Sequence, residues 1–335
     1  MNENSGSGTV EKRPFNFGMF YGKYGTFLLL VILFLLASIC VPGFFARQNL
    51  TNIFRQIAVV TILGFGVEFV IILGHINVAL GSEIALIGCV CCTVMVATQD
   101  IVGAALALVI SILTSLALGA VIGGINGFVI TKFNIPAFIM TLAVTTVARG
   151  SALLLTSGKP VSGMDEIYEV IGQGYIGPVP ISVIILVVLF AICWVVLNRT
   201  QFGRHLFAVG GNMNAAEASG IKAQSVVRKA FLIDGLMAAI AGILFMSRMG
   251  TAQPSAGVAY EFDAITACVV GGTSLSGGSG TITGTLIGAI IVGIINNAQN
   301  LLGISAYWQQ IVKGLIILVA VIIDVVTKHA AAQAK

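Results

Sequence analysis

Residues 271–288 read GGTSLSGGSGTITGTLIG, a stretch rich in glycine and hydroxyl residues that is embedded in apolar sequence. This composition suggests a loop whose backbone N–H groups cradle phosphate. A nucleotide-binding loop of the GxxxxGK[ST] type also needs a lysine that reaches the outer phosphates. Gly272 and Gly277 have the required spacing, but Gly278 and Ser279 follow them and the stretch contains no lysine. Its apolar surroundings therefore decide how the stretch is interpreted.

The composition of the whole chain indicates an integral membrane protein. Of the 335 residues, 57% are hydrophobic and 9% are charged, and the mean hydropathy is +1.03. A soluble protein has about 25% charged residues, so this chain cannot cover a soluble surface with polar groups. The first apolar run begins near Thr26 without a signal-peptidase pattern, and we expect it to be a retained span.

Apolar runs of bilayer-spanning length recur along the chain and predict an all-α fold of about ten transmembrane helices, because a span needs about 20 mostly apolar residues. The predicted spans are 26–41, 53–73, 82–97, 103–130, 137–156, 181–197, 226–246, 262–275, 281–301 and 307–326. The sequence thus predicts one polytopic domain over 26–326, with cytoplasmic tails at 1–25 and 327–335.

Loop charges predict the orientation. The N-terminal tail and the loop at 198–229 are rich in lysine and arginine, whereas the loop at 156–180 is mainly acidic. Since cytoplasmic loops are enriched in basic residues, we expect the tail and the basic loop inside and the acidic loop outside. Arg47 and Arg55, on the first outer loop, run against this rule.

Two similar segments predict an inverted repeat in which crossings 2–5 match crossings 7–10. GAVIGGINGFVI at 119–130 resembles GAIIVGIINNAQ at 288–299, and each contains a G-x-x-N sequence. The two lie in crossings of opposite direction, as in transporters that expose one site alternately to each side. Chance similarity between glycine-rich apolar segments is the alternative.

Two glycine-bounded segments predict broken helices. The crossing at 262–275 is too short to span comfortably and ends in the quoted stretch, whose hydroxyls can satisfy backbone groups freed by a helix break inside the protein. The segment GHINVALGSE at 74–83 interrupts another apolar run at Asn77. It is either a broken helix near a transport path or an ordinary turn between crossings.

Polar side chains within the predicted spans are candidates for a transport path, because they are costly in lipid. They are Glu68, Asn77, Glu83, Asn126, Arg149, Asp234, Asn296, Asn297, Gln299, Asn300, Gln309, Gln310 and Lys313. Amides predominate, which suits a neutral polyhydroxylated solute that needs directional hydrogen bonds. The predicted pathway residues are Asn77, Asn126, Phe138, Asn296, Asn297 and Gln309.

Each of these residues also has a structural interpretation. Amides form hydrogen bonds between packed helices, and aromatic residues near helix ends, such as Tyr307 and Trp308, anchor a protein at the membrane interface. Phe138 and these two residues can alternatively stack on a sugar. The acidic residues Glu68 and Asp234 are expected to pair with an arginine, Arg149 or Arg248, or to mark helix ends.

No enzyme chemistry is indicated. The sequence offers no nucleophile with a base and an orienting group, and a membrane-embedded enzyme would need a cluster of ionisable residues. The six cysteines lie in apolar runs without CxxC spacing and are expected to fill helix interfaces rather than bind metal.

The cytoplasmic loop at 198–225 contains VGGNMNAAEASGI at 209–221. It predicts a short helix that is capped by Asn212 or Asn214 and ended by Gly220. Because the chain has no Walker sequence, any energy from ATP must come from a partner that docks on such an element.

These segments carry a family resemblance. VGGNMNAAEASGI and the long run from TAQPSAGVAYEFDAITACVVGG to SAYWQQIVKG at 251–314 resemble the permease subunits of bacterial ABC importers for simple sugars, closest to the ribose type. The likeness extends from about Asn49 onward. Where the family usually has GGIDLSVGS near the third crossing, this chain has GHINVALGS, with His75, Asn77 and Ala79 at the changed places.

The resemblance implies a subunit of the bacterial inner membrane that translocates a ribose-like monosaccharide by alternating access. It implies a second permease chain, identical or related, a cytoplasmic ATPase that binds ATP and Mg²⁺, and a periplasmic sugar-binding protein, but neither nucleic acid nor a cofactor in this chain. The implied ATPase contacts are Gly210, Gly211, Asn212, Ala216, Ser219 and Gly220. Alternatives are a permease for a furanosyl signalling molecule or nucleoside, and a secondary transporter driven by an ion gradient.

Overall fold

The computed structural model describes residues 17–333 and is helical almost throughout. Its helices are α1 (Phe17–Cys40), α2 (Arg47–Ile72), α3 (Leu80–Val102), α4 (Ala104–Phe133), α5 (Ala137–Thr156), α6 (Glu166–Gln173), α7 (Ile181–Arg199), α8 (Gln201–Gly211), α9 (Met213–Ala218), α10 (Ala223–Met249), α11 (Tyr260–Val270), α12 (Ile282–Leu301) and α13 (Ala306–Gln333). A two-stranded antiparallel hairpin, β1 (Tyr175–Ile176) and β2 (Val179–Pro180), precedes α7.

The predicted all-α membrane fold is confirmed. Within the described residues, seven helices are long and apolar enough to cross a membrane, namely α2–α5, α7, α10 and α12. The ten predicted crossings coincide with these helices and with α1, α11 and α13. As predicted, α11 is short: its 11 residues cannot span a bilayer.

The ends of the chain differ from the prediction in where the helices stop. Helix α1 begins at Phe17, ahead of the apolar run at 26, and α13 continues to Gln333. Hydropathy locates the apolar part of a helix, whereas backbone hydrogen bonding can continue through the polar residues beside it. The remaining parts of the predicted tails, 1–16 and 334–335, lie outside the described residues.

Close glycine contacts fix how α4 packs on α10. A Cβ atom at Gly123 would lie 2.2 Å from the Phe231 carbonyl oxygen, and one at Gly127 would lie 2.8 Å from the Cα of Arg228. Residue numbers rise along α4 as they fall along α10, so the two helices are antiparallel. Only residues without side chains allow backbones to approach this closely.

Helix α12 packs on α2 in the same manner. A Cβ atom at Gly293 would lie 2.2 Å from Ile57 Cγ1, and one at Gly64 would lie 2.9 Å from Thr285 Cγ2. These helices are also antiparallel. The remaining contacts also match if α2–α5 correspond in order to α10–α13. Helix α3 packs on α4 and α5, and its equivalent α11 packs on α12 and α13. Helix α2 contacts α11, and its equivalent α10 contacts α3.

Helices α2 and α10, which this scheme makes equivalent, run in opposite directions. Near its start, α2 carries Arg55, whose guanidinium donates to the carbonyl of Gln173. The Gln173 amide donates in turn to the carbonyl of Arg248 at the end of α10. Further along α2, Gly66 contacts Asp234, which lies earlier in α10. The inverted repeat of crossings 2–5 and 7–10 is therefore present in the structure.

Candidate functional site

The segment between α2 and α3 is buried at Asn77 and Ala79 and joins α10 through a polar contact. Asn77 Nδ2 donates to Asp234 Oδ2 at 2.7 Å, and Asn77 Oδ1 accepts from the backbone N–H of Ala79 at 2.8 Å. Both side chains of the Asn77–Asp234 pair are almost fully buried. The segment thus begins with a turn at the exposed Gly74 and is then packed against α10 at Asn77.

Each repeat contains one pair of an asparagine and a carboxylate at equivalent positions. In the first, Asn126 Nδ2 of α4 donates to Glu83 Oε1 of α3 at 3.3 Å. In the second, Asn296 Nδ2 of α12 donates to Asp263 Oδ2 of α11 at 3.4 Å. The asparagines end the two G-x-x-N sequences, and each carboxylate is the fourth residue of its helix. The repeat thus places similar polar groups in both halves.

The two pairs differ in charge. Lys313 Nζ of α13 lies 2.8 Å from Asp263 Oδ2 and forms an ion pair. Within residues 17–333, the Glu83 pair has no basic partner, and the buried atoms Glu83 Oε2, Asn126 Oδ1 and Asp234 Oδ1 have no hydrogen-bond partner. Buried acceptors of this kind can accept hydrogen bonds from the hydroxyl groups of a solute.

The quoted glycine-rich stretch is a helix break tied to α2 by a buried carboxylate. Glu68 accepts hydrogen bonds of 2.8 Å from the hydroxyls of Thr273 and Thr285. A Cβ atom at Gly280 would lie only 2.3 Å from Glu68 Oε1. Thr273 and Ser274 are buried, whereas Gly272, Ser276 and Ser279 are exposed, so the predicted helix break is present and is packed inside the protein where it meets this carboxylate.

The expected ion pairs of Glu68 and Asp234 with Arg149 or Arg248 are wrong. Glu68 and Asp234 bind hydroxyl and amide donors. Arg149 instead donates to the carbonyl oxygens of Pro254 at 2.6 Å and Ala256 at 2.7 Å. The arginine satisfies backbone groups of the irregular segment before α11, where no helix provides partners.

The remaining predicted pathway residues lie apart from these pairs. Asn297 forms two reciprocal amide hydrogen bonds with Asn49 at the start of α2, of 2.8 and 3.2 Å. Gln309 donates to Asn300 Oδ1 at 2.9 Å. The ring of Phe138 is 53% exposed on α5 and takes no part in the polar contacts of the described residues.

The predicted cytoplasmic helix is present as α9. Asn212 precedes it, and its side chain accepts a 3.0 Å hydrogen bond from the backbone N–H of Ala215. Ser219 follows the helix, and Gly220 has a φ of +84°, a left-handed conformation that ends a helix. Apart from the buried Ala216, all residues of α9 are exposed.

Three chain segments meet beside α9 at glycines, and we call this the glycine junction: residues 72–74, 210–211 and 277–278. A Cβ atom at Gly210 would lie 1.8 Å from the Ile72 carbonyl oxygen, and one at Gly278 would lie 3.0 Å from Gly211 Cα. The Gly278 N–H donates to the Ile72 carbonyl at 2.8 Å. The glycine junction therefore joins the predicted coupling loop to the end of α2 and to the helix break.

Asp263 and Thr285 were not among the residues predicted from the sequence, yet they bind Asn296 and Glu68, respectively. The charge of Asp263 inside a predicted span was the available signal. A threonine hydroxyl in an apolar helix gave none, because it usually bonds its own backbone.

Comparison with known proteins gives consistent matches. A family model described as "Branched-chain amino acid transport system / permease component" matches residues 49–321. "Ribose import permease protein RbsC" of Bacillus subtilis is 43% identical over 317 residues, which cover 94% of this chain and 96% of the relative. The protein of that name in Haemophilus influenzae is 40% identical over 318 residues, with the same coverage. "D-allose transport system permease protein AlsC" of Escherichia coli is 35% identical over 316 residues, 94% of this chain and 95% of the relative. No solved structure matches the chain.

Proposed function

This chain belongs to the family of branched-chain amino acid transport system permease components, and from its likeness to ribose import permeases we propose that it translocates a monosaccharide. It is the multi-pass permease subunit of an ATP-driven ABC importer in the inner membrane, and a transport component rather than an enzyme. Such a permease works with a separate ATPase and a periplasmic binding protein. We further propose that two permease chains form the pathway.

A ribose-like sugar is the proposed substrate. Although the family description names amino acids, the three relatives described above are named for ribose and allose. The membrane interior agrees with a sugar, because its buried polar groups are serine and threonine hydroxyls and amides, with only a few carboxylates. Neutral hydroxyl groups can exchange hydrogen bonds with such groups without bringing a charge into lipid.

The observation that carries the proposal is the occurrence of one asparagine–carboxylate pair in each inverted repeat. Asn126 with Glu83 and Asn296 with Asp263 offer a solute similar hydrogen-bonding groups in both halves. Alternating access needs such two-sided similarity, because one pathway must open to either face. We propose that these pairs and Asn77 line the pathway, whereas Phe138, Asn297 and Gln309 lie toward its margins.

The coupling residues proposed here are those of the loop before and around α9. Exposed residues of this helix are available to an ATPase, and Gly210 and Gly211 touch the ends of two membrane segments at the glycine junction. Movement of α9 would thus be transmitted to α2 and to the helix break after α11. A Cβ atom added at Gly211 would have no other atom within 4 Å, so this position has room for contact with a partner.

Uptake in proteoliposomes tests the substrate and the energy source. We expect vesicles that contain the permease, its ATPase and its binding protein to accumulate labelled ribose only when ATP is inside with the ATPase. Unlabelled allose and arabinose serve as competitors. Uphill uptake by the permease alone under an ion gradient would reveal a secondary transporter and overturn the proposal.

Substitution at residue 211 tests the coupling role. Gly211→Glu places a bulky charge on the open surface, so we expect ATP hydrolysis to continue while ribose uptake is lost. Gly211→Ala, which adds one methyl group in open space, is the matched control and should transport normally. If Gly211→Glu leaves uptake per ATP unchanged, the loop has no part in coupling.

A further inference from the structure

A polar cavity lies at the end of the fold that carries α6. Its volume is about 620 Å³, it is open to solvent on one side, and it is bordered by the start of α2, the end of α6, the end of α10 and the end of α12. The lining residues are Asn49, Asn52, Arg55, Gln56, Gln173, Arg248, Met249, Asn297, Asn300 and Leu301. The acidic loop that contains α6 places this end outside. We call this space the outer cavity.

Hydrogen bonds hold the walls of the outer cavity in place. The reciprocal amide bonds of Asn49 and Asn297 join α2 to α12. The Arg55 guanidinium donates to the carbonyl of Gln173 and lies 4.8 Å from the centre of the Tyr175 ring. Gln173 donates to the carbonyl of Arg248 at 3.3 Å. The cavity is thus preformed.

Two amides in the wall are left over from these contacts. Within residues 17–333, the structure gives the side chains of Asn52 and Gln56 no hydrogen bond. Both lie on α2, one turn apart, on the same helix face. Each amide offers donors and an acceptor to a ligand.

The chemistry of the outer cavity fits a neutral polyhydroxylated molecule. Amides supply most of its polar groups, and no carboxylate is among its lining residues. Its volume falls in the range of small-molecule sites, about 300–1,000 Å³. Arg55 is already engaged by a carbonyl and a ring. These contacts of Arg55 also account for a basic residue at the outer face, where the enrichment of basic residues in cytoplasmic loops predicts few.

We propose that the outer cavity is an entry site, in which the sugar rests after release from the binding protein and before it enters the membrane pathway. The proposal rests on the proposed function. Consecutive residues of α12 connect the outer cavity to the proposed membrane pathway. Asn297 lines the outer cavity, and Asn296 binds Asp263 in the asparagine–carboxylate pair of the second repeat. Asn52 and Gln56 are the residues that bind the sugar there.

Variants of the two free amides test the entry site in the complete transporter. In Asn52→Leu and Gln56→Leu, each loss of a hydrogen bond to the sugar should lower the ratio of ribose imported to ATP hydrolysed by about two- to tenfold. Folding should be unchanged, since neither side chain bonds to the described chain. Gln224→Leu, an exposed amide at the start of α10 on the cytoplasmic side, is the matched control.

The outcomes separate this proposal from the proposed function. If the unaltered transporter imports no ribose, the function fails. If it does import ribose, and both leucine variants keep the unaltered ratio of ribose imported to ATP hydrolysed, the entry site is wrong.

Inorganic phosphate is a second probe. In an Asn52→Cys variant that also carries Cys40→Ser, a membrane-impermeant maleimide reports whether residue 52 is covered by a ligand. If phosphate protects this cysteine from the maleimide and additional free ribose does not, the cavity binds anions and the proposal is overturned. Protection by ribose supports it.

Discussion

The side-chain amide of Asn77 donates a 2.7 Å hydrogen bond to Asp234 Oδ2, which ties the interruption before α3 to the middle of α10. Replacement by Asn77→Asp removes the donor and brings a second carboxyl group against the first. A buried acceptor without its donor costs about 1–3 kcal/mol, and more for a charged group. We expect a lower melting temperature in detergent and loss of ribose uptake.

A reciprocal swap provides the control for this pair. In Asn77→Asp with Asp234→Asn, an amide again faces a carboxylate, although the two groups have changed helices. Melting temperature should return most of the way to that of the unaltered protein. A double variant as unstable as Asn77→Asp alone would show that this hydrogen bond is not what holds the segment.

Glycine packing predicts a graded series of alanine substitutions. At Gly123, a methyl group would lie 2.2 Å from a backbone oxygen of α10, which cannot move without displacing the helix. At Gly293, the obstacle is the Ile57 side chain, which can change its rotamer. We expect Gly123→Ala to cost about 1–3 kcal/mol and Gly293→Ala to cost less, as measured by thermal unfolding.

The residue beside Gly123 is the control for that series. A Cβ atom added at Gly124 would have no other atom within 4 Å. Because alanine favours helix over glycine by up to about 1 kcal/mol, Gly124→Ala should be neutral or stabilising. Equal destabilisation by Gly123→Ala and Gly124→Ala would contradict the packing that defines the inverted repeat.

Features set by local sequence were predictable. The two G-x-x-N sequences indicated the repeat because they lie in similar segments whose crossings have opposite directions. The capping asparagine at 212 and the glycine at 220 indicated α9 because helix ends are decided by neighbouring residues. The short apolar run before Leu275 likewise predicted the break after α11, since span length follows from the bilayer.

Partners of polar residues were not predictable in the same way. For Glu68, the sequence left open an arginine partner or a role at a helix end, but its carboxylate binds Thr273 and Thr285. Which side chains meet depends on how helices distant in sequence are arranged, and charge alone favours the wrong partner. Asp263 was overlooked for the same reason, because its role follows from Asn296 and Lys313 on two other helices.

The ion pair of the second repeat predicts the effect of removing one charge. Lys313 Nζ lies 2.8 Å from Asp263, and the Asp263 side chain is only 5% exposed. Lys313→Met leaves this carboxylate with a single amide donor. Loss of one partner of a buried pair costs about 3–5 kcal/mol, so we expect a large fall in melting temperature and in uptake.

A double variant tests whether charge is the cause. Lys313→Met with Asp263→Asn removes both charges and keeps an oxygen near Asn296, so stability should largely recover. The conservative Lys313→Arg should retain most of it. If the double variant is no more stable than Lys313→Met alone, lost packing of the lysine stem explains the defect instead.

Glu68 predicts how the helix break responds to loss of its tether. Its carboxylate accepts from Thr273 in the break and from Thr285 in α12, and all three side chains are buried. Glu68→Leu leaves the Thr273 hydroxyl without an acceptor, whereas the Thr285 hydroxyl keeps the Thr281 carbonyl at 3.3 Å, so the change should cost about 1–3 kcal/mol. Glu68→Gln keeps one oxygen and should be milder. Since the break adjoins the glycine junction, Glu68→Leu should also lower ribose uptake per ATP at temperatures where the protein is still folded, as measured in proteoliposomes. The control Thr273→Ser preserves the hydroxyl and should behave like the unaltered protein. If Thr273→Ser is as defective as Glu68→Leu, the methyl group of Thr273 matters more than its hydrogen bond.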